Sequence, residues 1–251
     1  KKIEENNLFK KVQGLTIECK FSHLLKLAEA EKFDDLKATI MDNVLNALHI
    51  SSLKRILFYE IPTNINGCVL AKLIKEINLL TVIEKKCDIQ LSGKIYEYFI
   101  GRDESAISEL GAYFTDRHVV NYIFDIVKPS INEDGTIEEM VDMFGGSGGF
   151  TTGYINYLNS KYPGKINWKT EINKVHHYDM NEDVIKAAAL EFFCITGELP
   201  NMNNLKYKNS FTDEFNNKKF KYIFTNPPYG GDKNKKTSAQ KKRKKVEDEL
   251  N

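Results

Sequence analysis

Thr136-Ile-Glu-Glu-Met-Val-Asp-Met-Phe-Gly-Gly-Ser-Gly-Gly-Phe150 is a strand-like stretch to Phe144, a loop of four glycines and one serine, and the first residue of a helix. Glycines lack Cβ atoms, so a loop of this kind lets the backbone approach a ligand closely. The spacing is not the G-x-G-x-x-G of a dinucleotide site, and the Gly-Lys-Ser/Thr ending of a phosphate-gripping loop is missing. Phosphate binding is therefore disfavoured. A glycine-rich connection with no ligand is the plain alternative.

The flanking segments repeat the strand-then-helix rhythm. Downstream, Val175 to Met180 predicts a second strand, Asn181 an N-cap, and Glu182 to Thr196 a helix closed by Gly197. A further strand, Lys221 to Thr225, ends at Asn226-Pro-Pro-Tyr229. Upstream, Asp116 to Val127 places Val119, Val120, Ile123, Phe124 and Val127 at helical spacing, capped by Thr115 or Asp116 and stopping before Pro129. Alternating strands and helices predict an α/β fold with a parallel sheet and binding residues at the carboxyl ends of its strands. The first hundred residues read as helical instead, with periodic apolar positions in Phe33 to Ile50, Val69 to Ile83 and Leu91 to Ile100. Turn residues at Pro62 to Gly67 separate two of these helices. The division expected is a helical domain over 1–105, a catalytic domain over 106–231 and a charged tail or loop over 232–251.

Two positions outside the loop point to chemistry. Asp179 falls at the end of the second strand, where a carboxylate can accept hydrogen bonds from both hydroxyls of a ribose; capping the next helix is the plainer role, but Asn181 suits it better. Asn226-Pro227-Pro228-Tyr229 is the most specific feature. The exocyclic nitrogen of adenine is a poor nucleophile because its lone pair is delocalised into the ring. An amide oxygen of Asn226 and the carbonyl of Pro227 can accept hydrogen bonds from its two hydrogens and favour the geometry in which the lone pair is available. The two prolines stiffen the turn, and the Tyr229 ring can stack on an extruded base. A Pro-Pro turn closing a strand is the structural alternative. No Pro-Cys pair for attack on cytosine carbon is present.

Taken together, the segments resemble the modification subunit of type I restriction-modification systems, a gamma-type N6-adenine DNA methyltransferase. Ser92 to Arg102 resembles the family's lead into the catalytic domain, and Gly111-Ala-Tyr-Phe-Thr-Asp-Arg117 its cofactor motif. Asp142 to Phe150 resembles Asp-Pro-x-x-Gly-Ser-Gly-Gly-Phe, Asp179-Met-Asn181 resembles Glu-Ile-Asn, and Asn226 to Tyr229 resembles the catalytic tetrapeptide. The order also agrees, over about residues 90 to 230. Met143 and Asp116 stand where the family has proline, and Asp179 where it has glutamate.

The resemblance implies a Rossmann-like sheet and S-adenosyl-L-methionine as cofactor. Ala112, Tyr113, Phe114, Thr115, Asp116 and Arg117 would line its methionine side. Asp142, Gly146, Ser147, Gly148 and Gly149 would form the loop beside it, Asp179 would hold its ribose, and Asn209 would face cofactor or base. Asn226, Pro227, Pro228 and Tyr229 would hold the target amine. The partners implied are DNA, with adenine extruded from the duplex, and a DNA-specificity subunit or domain.

Composition bounds these readings. With 251 residues and 41% hydrophobic content, the chain can bury one good core and an appendage. The N-terminal KKIEENNLFKK is too polar for a secretory signal, and no apolar run is long enough to span a membrane, so an intracellular location is expected. Cys19, Cys68, Cys87 and Cys194 are scattered, and His176-His177 has no clustered ligands; no metal site is expected. Lys233 to Lys245 carries eight basic and no acidic residues, and setting these aside turns the net +1 into −7 for the remainder. Such a body does not grip duplex DNA by a broad basic face, so a partner or further chain is expected to supply the grip. The basic run reads more readily as a solvated tail than as a DNA clamp. Two other functions fit the tetrapeptide: methylation of protein glutamine or rRNA guanine, or a catalytically silent methyltransferase-fold subunit that binds DNA.

Overall fold

The computed structural model describes residues 1–5, 7–50, 54, 60–87, 115–201, 203–211 and 219–228. The expected helix at Leu91 to Ile100, residues Ala112 to Phe114, Tyr229 and the basic run lie outside the described residues. No helix among the described residues is long and apolar enough to cross a membrane.

The N-terminal region is helical, as its periodicity predicts. Helices α1 (Phe21–Glu29), α2 (Phe33–Ala38), α3 (Asn46–Ile50) and α4 (Gly67–Cys87) follow one another, with a π-helical stretch Thr39–Leu45 between α2 and α3. Leu24, Ala28, Leu36, Leu70, Ala71 and Ile74 form its own apolar cluster. Asn66 accepts from the Val69 N–H at 3.0 Å and so starts α4. Ile3, Leu8, Val12 and Leu15 pack elsewhere, against the core of the sheet region. Lys11 fastens this leader by donating to the Gly197 carbonyl and pairing with Glu198 at 2.8 Å.

Four parallel strands make the sheet: β1 (Met140–Asp142), β2 (Val175–Asp179), β3 (Leu205–Tyr207) and β4 (Tyr222–Ile223), in the order β3-β2-β1-β4. This is the Rossmann-like α/β arrangement expected. The strand foreseen over Thr136 to Phe144 is shorter, because Ile137 turns back to bridge Ile131 and the chain enters the sheet only at Met140. The three residues of β1 and the first four of β2 are buried, as strands covered on both faces must be.

Helices α5 (Arg117–Val127), α6 (Gly149–Lys161) and α8 (Glu182–Thr196) surround the sheet, with the short α7 (Trp168–Glu171) preceding β2. Asp116 caps α5 through its bond from the His118 N–H at 2.8 Å, and Asn181 caps α8. Gly197, at φ +75°, ends α8 in the left-handed conformation foreseen for it. Helix α5 lies close on α6 because Gly153 has no side chain: a Cβ there would stand 2.7 Å from Val120 Cγ1 and 2.8 Å from Phe124 Cε2. Phe124, Phe150, Tyr154 and Phe224 form an aromatic cluster that joins these helices to the end of β4.

Candidate active site

The strand order itself locates a crevice. From β1 the chain moves to β2 and β3 on one side and returns to place β4 on the other, so the strand order reverses at β1. The carboxyl ends of β1 and β4 are where an open parallel sheet receives a ligand. The glycine loop follows β1, and Asn226 follows β4.

A small cleft, open to solvent, occupies this point. Gly145, Gly146, Ser147 and Gly149 form its floor. Phe144 and Phe150 supply apolar surface, and Thr115, Asp142 and Asn226 supply polar groups. The two halves of the expected site, far apart in sequence, therefore meet across one opening. Asn226 Nδ2 donates to Thr115 Oγ1 at 3.1 Å, joining the segment before α5 to the segment after β4. Arg117 reinforces that junction by donating to the Gly149 carbonyl at 3.1 Å and to Thr152 Oγ1 at 2.8 Å.

The loop is held from below. Gly145 N–H donates to the Tyr178 carbonyl, Gly146 N–H to Asp179 Oδ2 and Gly148 N–H to the Gly145 carbonyl. Three amides are thus committed within the protein rather than turned outward as an anion nest, in keeping with the absence of a phosphate-binding signature. Gly145 presses on the buried His177 ring, whereas a Cβ at Gly146 or Gly149 would meet nothing within 4 Å. Gly146 and Gly149 both line the cleft.

Among the described residues Asp142 is the sole ionisable side chain lining the cleft, and it is only 2% exposed. Burial raises its carboxyl to about 7, and the nearby Asp179 carboxylate adds to the rise; bonds from Thr225 Oγ1 at 2.8 Å and the Phe144 N–H at 3.1 Å oppose it. His177 is lowered by burial to about 4 despite Asp179, and stays neutral at ordinary pH. Its Nδ1 lies 3.2 Å from Thr151 Oγ1. Among its described lining residues the cleft has one carboxyl and no cationic side chain, a lining that suits a ligand of positive or neutral charge.

Other expected residues sit around the cleft rather than in its lining. Asp179 accepts from Gly146 and, at 2.8 Å, from the Asn181 N–H; its carboxylate has lone pairs for further donors. Gly148 is the N-cap of α6, at φ +88°. Asp116 is exposed at its cap, and Asn209 accepts from the Phe211 N–H to close a turn. Pro227 and Pro228 follow Asn226 beyond β4. Sequence reasoning overlooked Thr225 and the underlying His177. Thr225 immediately precedes the tetrapeptide, but its reach to Asp142 crosses 83 positions and has no local signal. Among the described residues, no cluster of histidine, cysteine and carboxylate side chains could hold a metal ion.

The family model for N-6 DNA methylases matches residues 87–249, about two-thirds of the chain. The chain belongs to the N-6 DNA methylase family. Both the glycine loop and the tetrapeptide of this N-6 DNA methylase fall inside the match. Among solved structures it is similar to the methyltransferase subunit of a type I restriction-modification system from Streptococcus thermophilus, with 18% identity, TM-score 0.51, and coverage of 88% of this chain and 46% of that one. It is also similar to a modification subunit ascribed to a type I restriction enzyme of Vibrio vulnificus, with 14% identity, TM-score 0.47, and coverage of 93% and 61%. The first likeness bears on fold alone. The chain spans about half the length of these relatives. Comparison with curated protein sequences finds no match.

Proposed function

We propose that this chain is the catalytic part of an S-adenosyl-L-methionine-dependent DNA adenine-N6 methyltransferase, working inside the cell with a DNA-specificity subunit or domain. The observation that carries the reading is the meeting of Asn226 with the glycine loop and Asp142 across one cleft. Family membership favours DNA over the protein-glutamine and ribosomal-RNA readings.

The residues present fit the cofactor. Gly146 and Gly149 leave open space for its body, Asp142 lines the same space, and Asp179 stands beside the loop for its ribose. Ser147 and Thr115 complete the loop side and the methionine side, together with Ala112, Tyr113 and Phe114 by family resemblance. When bound, the cofactor supplies an electrophilic methyl group carried on a sulfonium.

The protein's own part is to present the nucleophile. Thr115 accepts from Asn226 Nδ2, which turns Asn226 Oδ1 to the opposite side of the amide as an acceptor for the target amine. The Pro227 carbonyl is the second acceptor, and the Pro-Pro turn limits its motion. By family resemblance Tyr229 would stack on the extruded base. With both amine hydrogens engaged, the nitrogen lone pair is directed at the methyl; transfer leaves an extra proton on nitrogen, which passes to water. No buried general base is required.

The test is incubation of the purified full-length chain with tritiated S-adenosyl-L-methionine and, in turn, DNA, RNA and protein, with and without a specificity partner. Label on DNA adenine, lost in Asn226→Ala, is expected. Cofactor binding with no label on DNA under either condition overturns the reading.

A further inference from the structure

We infer that Thr225 is a positioning residue that ties the tetrapeptide to the glycine loop through Asp142, so that the seating of cofactor and the clamping of the target amine depend on each other. This rests on the methyltransferase reading above.

Strands β1 and β4 are in register through Val141 and Ile223, and the Phe224 N–H donates to the Val141 carbonyl at 3.1 Å. Beyond that bond the chains part, β1 into the glycine loop and β4 into the tetrapeptide. The crossing is then made by side chains: Thr225 Oγ1 donates to Asp142 Oδ1 at 2.8 Å. The same Oδ1 accepts the Phe144 N–H at 3.1 Å. One oxygen atom therefore holds the residue next to Asn226 and the backbone that enters Gly145. Threonine suits the task because its branched Cβ restricts χ1, so fixing the hydroxyl also fixes the strand end to which Asn226 is attached. A residue serving only to close a strand would have no need of a buried carboxylate as acceptor, and burying that carboxylate is costly.

The charges around Asp142 make the tie readable. Asp179 faces it from the end of β2 and His177 pairs with it in the β1–β2 register. From the loop comes the Phe144 N–H, from β4 the Thr225 hydroxyl, and from the cleft the uncharged Thr115 and Asn226. His177 is neutral, so Thr225 and Phe144 are the groups that favour the ionised carboxylate against burial and Asp179. Removing the hydroxyl moves the Asp142 titration to higher pH.

The experiment uses the full-length chain and S-adenosylhomocysteine as probe, with calorimetric affinities between pH 6 and 8.5 for wild type, Thr225→Val and Thr225→Ser. Thr225→Val keeps the shape and removes the donor. Its affinity at pH 7.5 is expected to fall at least fivefold and its pH midpoint to move upward, while Thr225→Ser restores both to within twofold of wild type. If Thr225→Val does not fold, Thr225→Ala removes the same hydroxyl without setting a methyl against the carboxylate and gives the same readings. A hydroxyl-free variant with wild-type affinity and midpoint overturns this inference alone. A wild-type chain that does not bind S-adenosylhomocysteine overturns the methyltransferase reading as well.

Discussion

Two glycines of one loop, four positions apart, should fail in opposite ways when each receives a methyl group. An added Cβ at Gly145 stands 2.8 Å from His177 Nε2 and closer still to two other atoms of that ring. The ring cannot step aside: it is fully buried and packs edge-on against Phe192 at 5.8 Å. Overpacking of this kind costs about 1–3 kcal/mol. In a domain of this size each kcal/mol corresponds to about 2–4 °C, so Gly145→Ala should lower the melting temperature by about 2–12 °C. At Gly149 an added Cβ meets nothing within 4 Å, and the residue is the first of α6 with no left-handed φ. Relief of unfolded-chain entropy stabilises such a change by about 0.4–1 kcal/mol. Gly149→Ala should therefore melt at or slightly above the wild-type temperature, yet lose affinity for S-adenosylhomocysteine about tenfold, because it adds a methyl to a residue that lines the cleft. Differential scanning fluorimetry with and without that ligand reads both quantities. A Gly145→Ala protein that melts with wild type refutes the packing argument, and undiminished affinity in Gly149→Ala refutes the placing of the ligand over the loop.

Thr115→Val removes the acceptor of Asn226 Nδ2. At about 0.5–1.5 kcal/mol for one hydrogen bond, kcat should fall about 2- to 13-fold with little change in melting temperature, and an unchanged kcat would show that the amide is oriented by other groups. For Asp142, a carboxyl raised by burial to about 7 binds its proton in the folded state between the ordinary value of 3.8 and 7, so its contribution to stability declines as pH rises through that window. Asp142→Asn should thus compare more favourably with wild type at pH 8 than at pH 5 in urea titrations; an equal difference at both pH values would count against the buried ionisation. Glu171 Oε2 accepts the buried Ile137 N–H at 2.9 Å and lies 3.0 Å from Lys174 Nζ. Glu171→Ala should cost about 1–3 kcal/mol by stranding that N–H, and Glu171→Gln should recover most of the loss in the same denaturation assay.

The sequence by itself determined the elements whose causes are local. Asn181 and Gly197 bound α8 because a side-chain acceptor and a left-handed residue act within one turn of the helix they limit. The glycine loop after a buried strand, and the asparagine after another, likewise announced a ligand at the strand ends. The limits of β1 were less legible: the residues 136–139 have strand composition, but Ile137 pairs backward with Ile131 instead of joining the sheet. What only the tertiary structure decided are the relations between distant segments. It placed Val12 and Leu8 on the sheet core although they belong to the helical N-terminal stretch, drew Thr115 to Asn226, and set Thr225 against Asp142. These follow from strand order and from burial, which change the energy of a carboxyl or an imidazole without leaving any periodicity in the chain. The Asn-Pro-Pro-Tyr stretch could point to amine chemistry on its own, but only the parallel pairing of β1 with β4 brings its asparagine to the glycine loop.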